Sequence, residues 1–169
     1  MGHEDIVVLD GGLPAWEKAG LVCEPPSSYT AKKGDFVANY QAALVVDAAD
    51  ILKNLDNKKA LVIDTRSEAR FRARVSEPRE NLKGGHIPNS LNIPYNKVLN
   101  DGKYRPSSQL IEVFDDPAIN DKPLIFTCGS GITACIVLLA AGLVMDTGKA
   151  LYDGSWSEWG QLEGCPIEK

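Results

Sequence analysis

Pro123-Leu-Ile-Phe-Thr-Cys128-Gly-Ser-Gly-Ile-Thr-Ala134 reads as a buried strand, a tight turn and the start of a helix. The run from Pro123 to Thr127 is apolar without alternation, as in a strand covered on both faces. Gly129 and Gly131 punctuate the turn. A helix is then expected from Ile132 to Leu143. The apolar run from Ala134 to Met145 spans twelve residues. A membrane span needs about 20.

Working outward, Ala60-Leu-Val-Ile-Asp64 is a second short apolar run, Ser90 to Pro94 a third and Ala150 to Tyr152 a fourth. Between them, Val45 to Leu52 reads as a helix capped at Asp47, and 107–116 as a helix with Ser107 as cap. Apolar strands alternating with helices predict an α/β fold with a mainly parallel sheet flanked by helices.

The chain has 169 residues, 44% hydrophobic and 24% charged, with net charge −5. That suits a globular domain, and a net negative charge does not point to nucleic acid or an acidic membrane surface. No Lys- or Arg-led apolar stretch opens the chain. The four cysteines (Cys23, Cys128, Cys135 and Cys165) are scattered, without a Cys-x-x-Cys pair or a histidine at metal-ligand spacing. No metal and no organic cofactor are expected. Free thiols and a reducing, cytoplasmic compartment are.

A parallel strand delivers Cys128 to the sheet's carboxyl edge, where open α/β sheets bind ligands. Glycines let backbone N–H groups approach a sulfur there, and the following helix N-terminus favours a thiolate. Ser130 and Thr133 add hydroxyls able to bond a thiolate or a persulfide. The plain alternative for any free cysteine is a small core residue. Cys135, inside the helix, is read that way, and Cys23 and Cys165 as incidental.

Cys128-Gly-Ser-Gly-Ile-Thr-Ala resembles the active-site loop of the rhodanese superfamily. More narrowly it resembles 3-mercaptopyruvate sulfurtransferases, whose loop usually reads Cys-Gly-Ser-Gly-Val-Thr. Ile132 is the departure. Thiosulfate-using rhodaneses usually carry basic residues where Gly129 and Ser130 stand. Tyr152-Asp-Gly-Ser-Trp-Ser-Glu-Trp159 and Gly85-His-Ile-Pro88 resemble two further motifs of the group. The resemblance covers nearly the whole chain and implies a three-layer rhodanese-like fold. It implies a catalytic Cys128 that carries sulfur as a persulfide from a small-molecule donor to a thiol acceptor or cyanide. Gly129, Ser130, Gly131, Ile132 and Thr133 would form the active-site loop.

Five of the six arginines lie between Arg66 and Arg79, directly after the strand ending at Asp64. They therefore belong to the same sheet edge as Cys128. Arg pairs bidentately with a carboxylate. The family places two carboxylate-binding arginines in this loop, and by its motif they fall on Arg70 and Arg79. It commonly shows Gly-Thr-Glu-Pro where this chain has Ala73-Arg-Val-Ser76. Arg72 and Arg74 are read as surface residues, because Glu68, Glu77 and Glu80 interleave with the cluster. His86 is read as holding its turn rather than as a base, and Asp64 and Asp153 as turn anchors.

Two other classes fit the residues less well. A Cys-x5-Arg phosphatase needs Arg at position 134, which is Ala. A non-catalytic binding or sulfur-relay module often lacks the cysteine or the arginines, and both are here. The closer competitor is a thiosulfate:cyanide sulfurtransferase.

Residues 7–16, Val-Val-Leu-Asp-Gly-Gly-Leu-Pro-Ala-Trp, parallel residues 150–159, Ala-Leu-Tyr-Asp-Gly-Ser-Trp-Ser-Glu-Trp. Asp10 matches Asp153, Gly11 matches Gly154 and Trp16 matches Trp159, each pattern reading strand, Asp-Gly turn, short helix. The expected division is 1–22 as the remnant of a preceding rhodanese-like domain, 23–39 as linker and 40–169 as the catalytic domain. The alternative is coincidence between two Asp-Gly turns. Without its own domain, 1–22 should leave Val7, Val8, Leu9 and Trp16 exposed, to pack on the retained domain or on a second chain.

Overall fold

The computed structural model describes residues 2–3, 5–24, 30, 32–119 and 122–169. A five-stranded sheet lies at the centre, built from β1 (Val45–Val46), β2 (Leu61–Asp64), β3 (Leu91–Asn92), β6 (Leu124–Thr127) and β7 (Lys149–Tyr152). The spatial order is β1-β7-β6-β2-β3 and every pairing is parallel. The helices are α1 (Gly12–Lys18), α2 (Ala48–Asn57), α3 (Glu68–Phe71), α4 (Ser107–Phe114), α5 (Ile132–Val144) and α6 (Ser155–Trp159). A small antiparallel pair, β4 (Leu99–Asn100) with β5 (Lys103–Tyr104), stands apart from the sheet.

Alternation along the strands makes three layers. Ile63, Leu124 and Phe126 point to one face, where Leu110 and Phe114 of α4 and Ala134, Val137, Ala140 and Ala141 of α5 cover them. Val62, Ile125, Ala150 and Tyr152 point to the other, against Ile51 of α2 and Trp156 and Trp159 of α6. Four small residues on the inner face let α5 lie close to the sheet. Phe126 is fully buried among them, and truncating it to Ala would cost about 3–5 kcal/mol.

The predicted α/β fold with a parallel sheet flanked by helices is what forms, with four corrections in detail. Asp47 does cap α2, through a capping box with Asp50. Val45 and Val46, read as part of that helix, instead form edge strand β1 against β7. At α4 the N-cap is Pro106, and Ser107 is the first helical residue without a capping bond. Cys135, read as core, faces outward on α5, its thiol directed at the Gly131 carbonyl at 3.3 Å.

Residues 7–9, read as a strand, carry none. The predicted turn and helix do follow, as α1. Val7, Val8, Leu9 and Trp16 are exposed as expected. The segment still touches the body of the fold. Asp10 accepts the Tyr104 N–H at 2.9 Å, Lys18 pairs with Asp101 at 3.0 Å, and Ile6 and Val8 line a cleft with Leu139 and Leu143.

Candidate active site

Cys128 follows directly on β6, the middle strand of the sheet, at its carboxyl end. The side chain is nearly inaccessible at 2% exposure. Burial pushes the thiol up, since the charged form loses water. The Thr133 hydroxyl and the backbone N–H groups of Ala134, Ser130 and Thr133 all bond the sulfur and outweigh that penalty. The thiol therefore sits below its ordinary range, and these donors form a nest at the start of α5. The Thr133 hydroxyl lies 3.4 Å from that of buried Thr65, at the end of β2. With Thr133 donating to sulfur, its oxygen accepts from Thr65.

Two glycines hold the loop in this shape. Gly131 is the N-cap of α5 at φ 83°, in the left-handed region. A Cβ there would lie 2.8 Å from Asp153 Oδ1 and 3.1 Å from the Asp153 carbonyl. A Cβ on Gly129 would lie 3.1 Å from Arg70 Nη2 and 3.5 Å from Nη1. So the Arg70 guanidinium rests directly on the bare face of Gly129.

Arg70, Pro78, Arg79, Leu82, Gly129 and Ser130 line a cleft of about 200 Å³ beside the cysteine loop. The structure thus brings both predicted carboxylate-binding arginines to the loop that carries Cys128. The Ser130 residue is exposed at the mouth, and its backbone N–H rather than its hydroxyl reaches the sulfur. Ile132 is 73% exposed and lends the site no polar group. Arg72 and Arg74 lie on the surface, both near Glu68. A larger cleft of about 650 Å³ between β3 and α4 is lined by no cysteine, serine or threonine.

Arg66 is fully spent on structure. It is buried, binds Asp64 through Nε and Nη2, donates to the Gly85 carbonyl at 2.7 Å, and stacks 4.3 Å over Trp156. His86 stacks on Phe71 and donates Nδ1–H to the Phe71 carbonyl at 2.9 Å, as its predicted structural role requires. Its backbone pairs with Glu168, which ties down the C-terminal tail.

Two site residues escaped the sequence reading. Glu77 has a side chain only 1% exposed and bridges Arg66 and Arg70. Its position among alternating charges gave no sign of burial. Ser155, at φ 51°, accepts the Cys128 N–H at 3.2 Å. The Trp156 and Ser157 amides bond the Cys128 and Gly129 carbonyls at 3.0 and 2.9 Å. The Asp-Gly-Ser-Trp stretch was the signal for this clamp, but its target could not be read.

The Rhodanese-like domain family matches residues 47–162. Over 168 residues the chain is 38% identical to the 3-mercaptopyruvate sulfurtransferase of Escherichia coli (strain K12), covering 99% of this chain and 59% of that protein. It is 36% identical to the thiosulfate sulfurtransferase of Rattus norvegicus, over 94% of this chain and 54% of the relative. The crystal structure of SseA from Escherichia coli, one of the 3-mercaptopyruvate sulfotransferases, matches with TM-score 0.75 and 35% identity, over 92% of this chain and 58% of that one. The chain thus spans little more than half the length of the curated relatives it matches. The domain match, the relatives and the cysteine loop agree, and the chain belongs to the rhodanese family.

Proposed function

We propose that the protein is a sulfurtransferase that moves sulfur from 3-mercaptopyruvate to a thiol acceptor or cyanide through a persulfide on Cys128. The observation that carries this is a buried thiol held below its ordinary range by the Thr133 hydroxyl and three backbone N–H donors, beside a cleft lined by Arg70 and Arg79. The Cys128 thiolate attacks the donor sulfur. The S–S bond forms as the donor C–S bond breaks, and the C–S electron pair leaves on carbon as the pyruvate enolate, which takes a proton from solvent. An acceptor thiolate then attacks the outer sulfur, leaving as its own persulfide and returning Cys128 as thiolate. This is covalent catalysis in two half-reactions, with ping-pong kinetics expected. The loop amides stabilise the sulfur anion at each stage. Arg70 and Arg79 hold the donor's carboxylate and carbonyl.

The second reading is thiosulfate as donor, favoured by the relative that carries that name. Against it, Gly129 and Ser130 leave the loop without a cation. A preceding rhodanese-like domain would end within 1–22, joined by 23–39 to a catalytic unit at 40–169. That domain, or a second copy of the chain, would cover Ile6 to Leu9, and the sedimentation-equilibrium mass of the purified chain would separate the two.

The test is to incubate the protein with each donor, assay pyruvate release with a thiol acceptor, and record intact mass. Pyruvate release with a sulfur-sized mass gain, both absent in Cys128→Ser, is the expected result. Mass gain from thiosulfate alone would reassign the donor. Silence with both donors, at the protein's natural length, would overturn the enzyme reading in favour of a binding module.

A further inference from the structure

The Arg70 guanidinium is held along one edge only. Nε donates to Glu77 Oε1 at 3.2 Å and Nη2 to Glu77 Oε2 at 2.5 Å. Nη1 has no acceptor among the described residues, and the Nη1 and Nη2 end rests against Gly129. Glu77 is held in turn by Arg66 Nη1 at 3.0 Å, and Arg66 by Asp64. This chain runs from the end of β2 to the rim of the cysteine loop and contains two cations and two carboxylates. Its formal charge is zero. Of the two arginines lining the cleft, only Arg79 lacks an ion-pair partner among the described residues. Glu80, the next residue, does not line that cleft.

We propose that Glu77 is a positioning and specificity-determining residue, which aims the free edge of Arg70 at the donor and cancels one of the cleft's two positive charges, so that a monoanionic α-keto carboxylate is taken in preference to a dianion. The inference rests on the sulfurtransferase reading and deepens it. A buried carboxylate is costly unless fully paired, and Glu77 meets that condition with both oxygens engaged. Fixing the long Arg70 side chain in advance spares its ordering when donor binds. Coulomb attraction scales with donor charge, so thiosulfate, as a dianion, gains about twice as much as mercaptopyruvate from any cation added to the cleft.

The experiment uses the protein at its natural length with a common thiol acceptor. It compares kcat/KM for 3-mercaptopyruvate and thiosulfate in wild type, Glu77→Gln and Glu77→Asp. Glu77→Gln should move the donor ratio toward thiosulfate by about tenfold. Glu77→Asp retains the charge and should retain the wild-type ratio while kcat falls, because the shorter side chain misplaces Arg70. Equal losses for both donors in Glu77→Gln, with no change in ratio, would reduce Glu77 to a structural residue and overturn the proposal. If Glu77→Gln does not fold, Glu77→Asp carries the test: a donor ratio moved toward thiosulfate in folded Glu77→Asp, whose charge is retained, would overturn the proposal. A wild type inert with both donors would instead defeat the sulfurtransferase reading.

Discussion

The Ser155 hydroxyl accepts the Cys128 backbone N–H at 3.2 Å and donates to the Tyr152 carbonyl at 2.9 Å. It thereby ties the end of the central strand to the end of its neighbour, and it takes the amide of Cys128 itself, which is not among those that bond the sulfur. Ser155 is fully buried at φ 51°, a conformation costing a non-glycine residue roughly 1–2 kcal/mol. Ser155→Ala should lower stability by about 1–3 kcal/mol, because a buried N–H loses its acceptor. Ser155→Gly loses the same acceptor but relieves the backbone, so it should melt above Ser155→Ala. Thermal unfolding of the two variants checks the order.

The sulfur itself depends on Thr133. Burial raises the Cys128 thiol, and the Thr133 hydroxyl heads the contacts that bring it down. Thr133→Val should therefore move the pH midpoint of Cys128 alkylation upward and slow alkylation at neutral pH several-fold. Cys135 is the internal comparison: burial raises its thiol, as do the negative charges of Cys128 and Asp153. Although exposed, Cys135 should react after Cys128 at neutral pH, as peptide mapping would show. A lowered thiol contributes stability that is complete above the unfolded thiol range and is lost as pH falls through the folded value. The unfolding free energy of wild type should thus fall on acidification through that window more than that of Cys128→Ser.

The cysteine loop, the sheet and the place of Arg70 and Arg79 beside that loop were legible because each rests on a local signal. Strand β6 is an unbroken apolar run, its end is marked by two glycines, and Arg70 and Arg79 follow the second such run. What could not be read was set by contacts distant in sequence. Val45 and Val46 form a strand only because β7 lies beside them. Glu77 is buried only because Arg66 and Arg70 turn inward to meet it. Helix α5 is apolar on every side, so no period distinguishes its faces. Its alanines pack on the sheet, while Ile132, Cys135 and Leu143 remain outside.

The glycines of the loop should fail differently. At Gly131 an added Cβ meets Asp153 Oδ1 at 2.8 Å and its backbone carbonyl at 3.1 Å, on a backbone at φ 83°. Gly131→Ala should cost about 1–2 kcal/mol in stability and disrupt the N–H donors around the sulfur. Persulfide formation should drop with it. At Gly129 the backbone φ is not left-handed, and the neighbour is the Arg70 guanidinium at 3.1 Å, which a small shift away from the loop relieves. Gly129→Ala should fold nearly as well as wild type and raise KM for the donor. Intact-mass persulfide yield and steady-state kinetics distinguish the two.

His86 is the remaining group whose chemistry invites a catalytic role, and its surroundings argue against one. The ring stacks on Phe71 at 3.7 Å between centroids, and Nδ1–H is committed to the Phe71 carbonyl. Nε2 lies 3.6 Å from Glu168, on the C-terminal tail rather than in the cleft. The backbone of His86 gives and takes hydrogen bonds with Glu168 at 2.8 and 3.0 Å, which holds the tail beside the cluster containing Ile87, Trp156 and Trp159. His86→Ala removes the stacked ring and leaves a buried carbonyl without its donor, at about 1–3 kcal/mol. The thermal midpoint should fall by several degrees. Below that midpoint the pH profile of kcat/KM should retain its shape. Loss of an ionisation from the profile, with the fold intact, would return His86 to the chemistry and remove it from the scaffold.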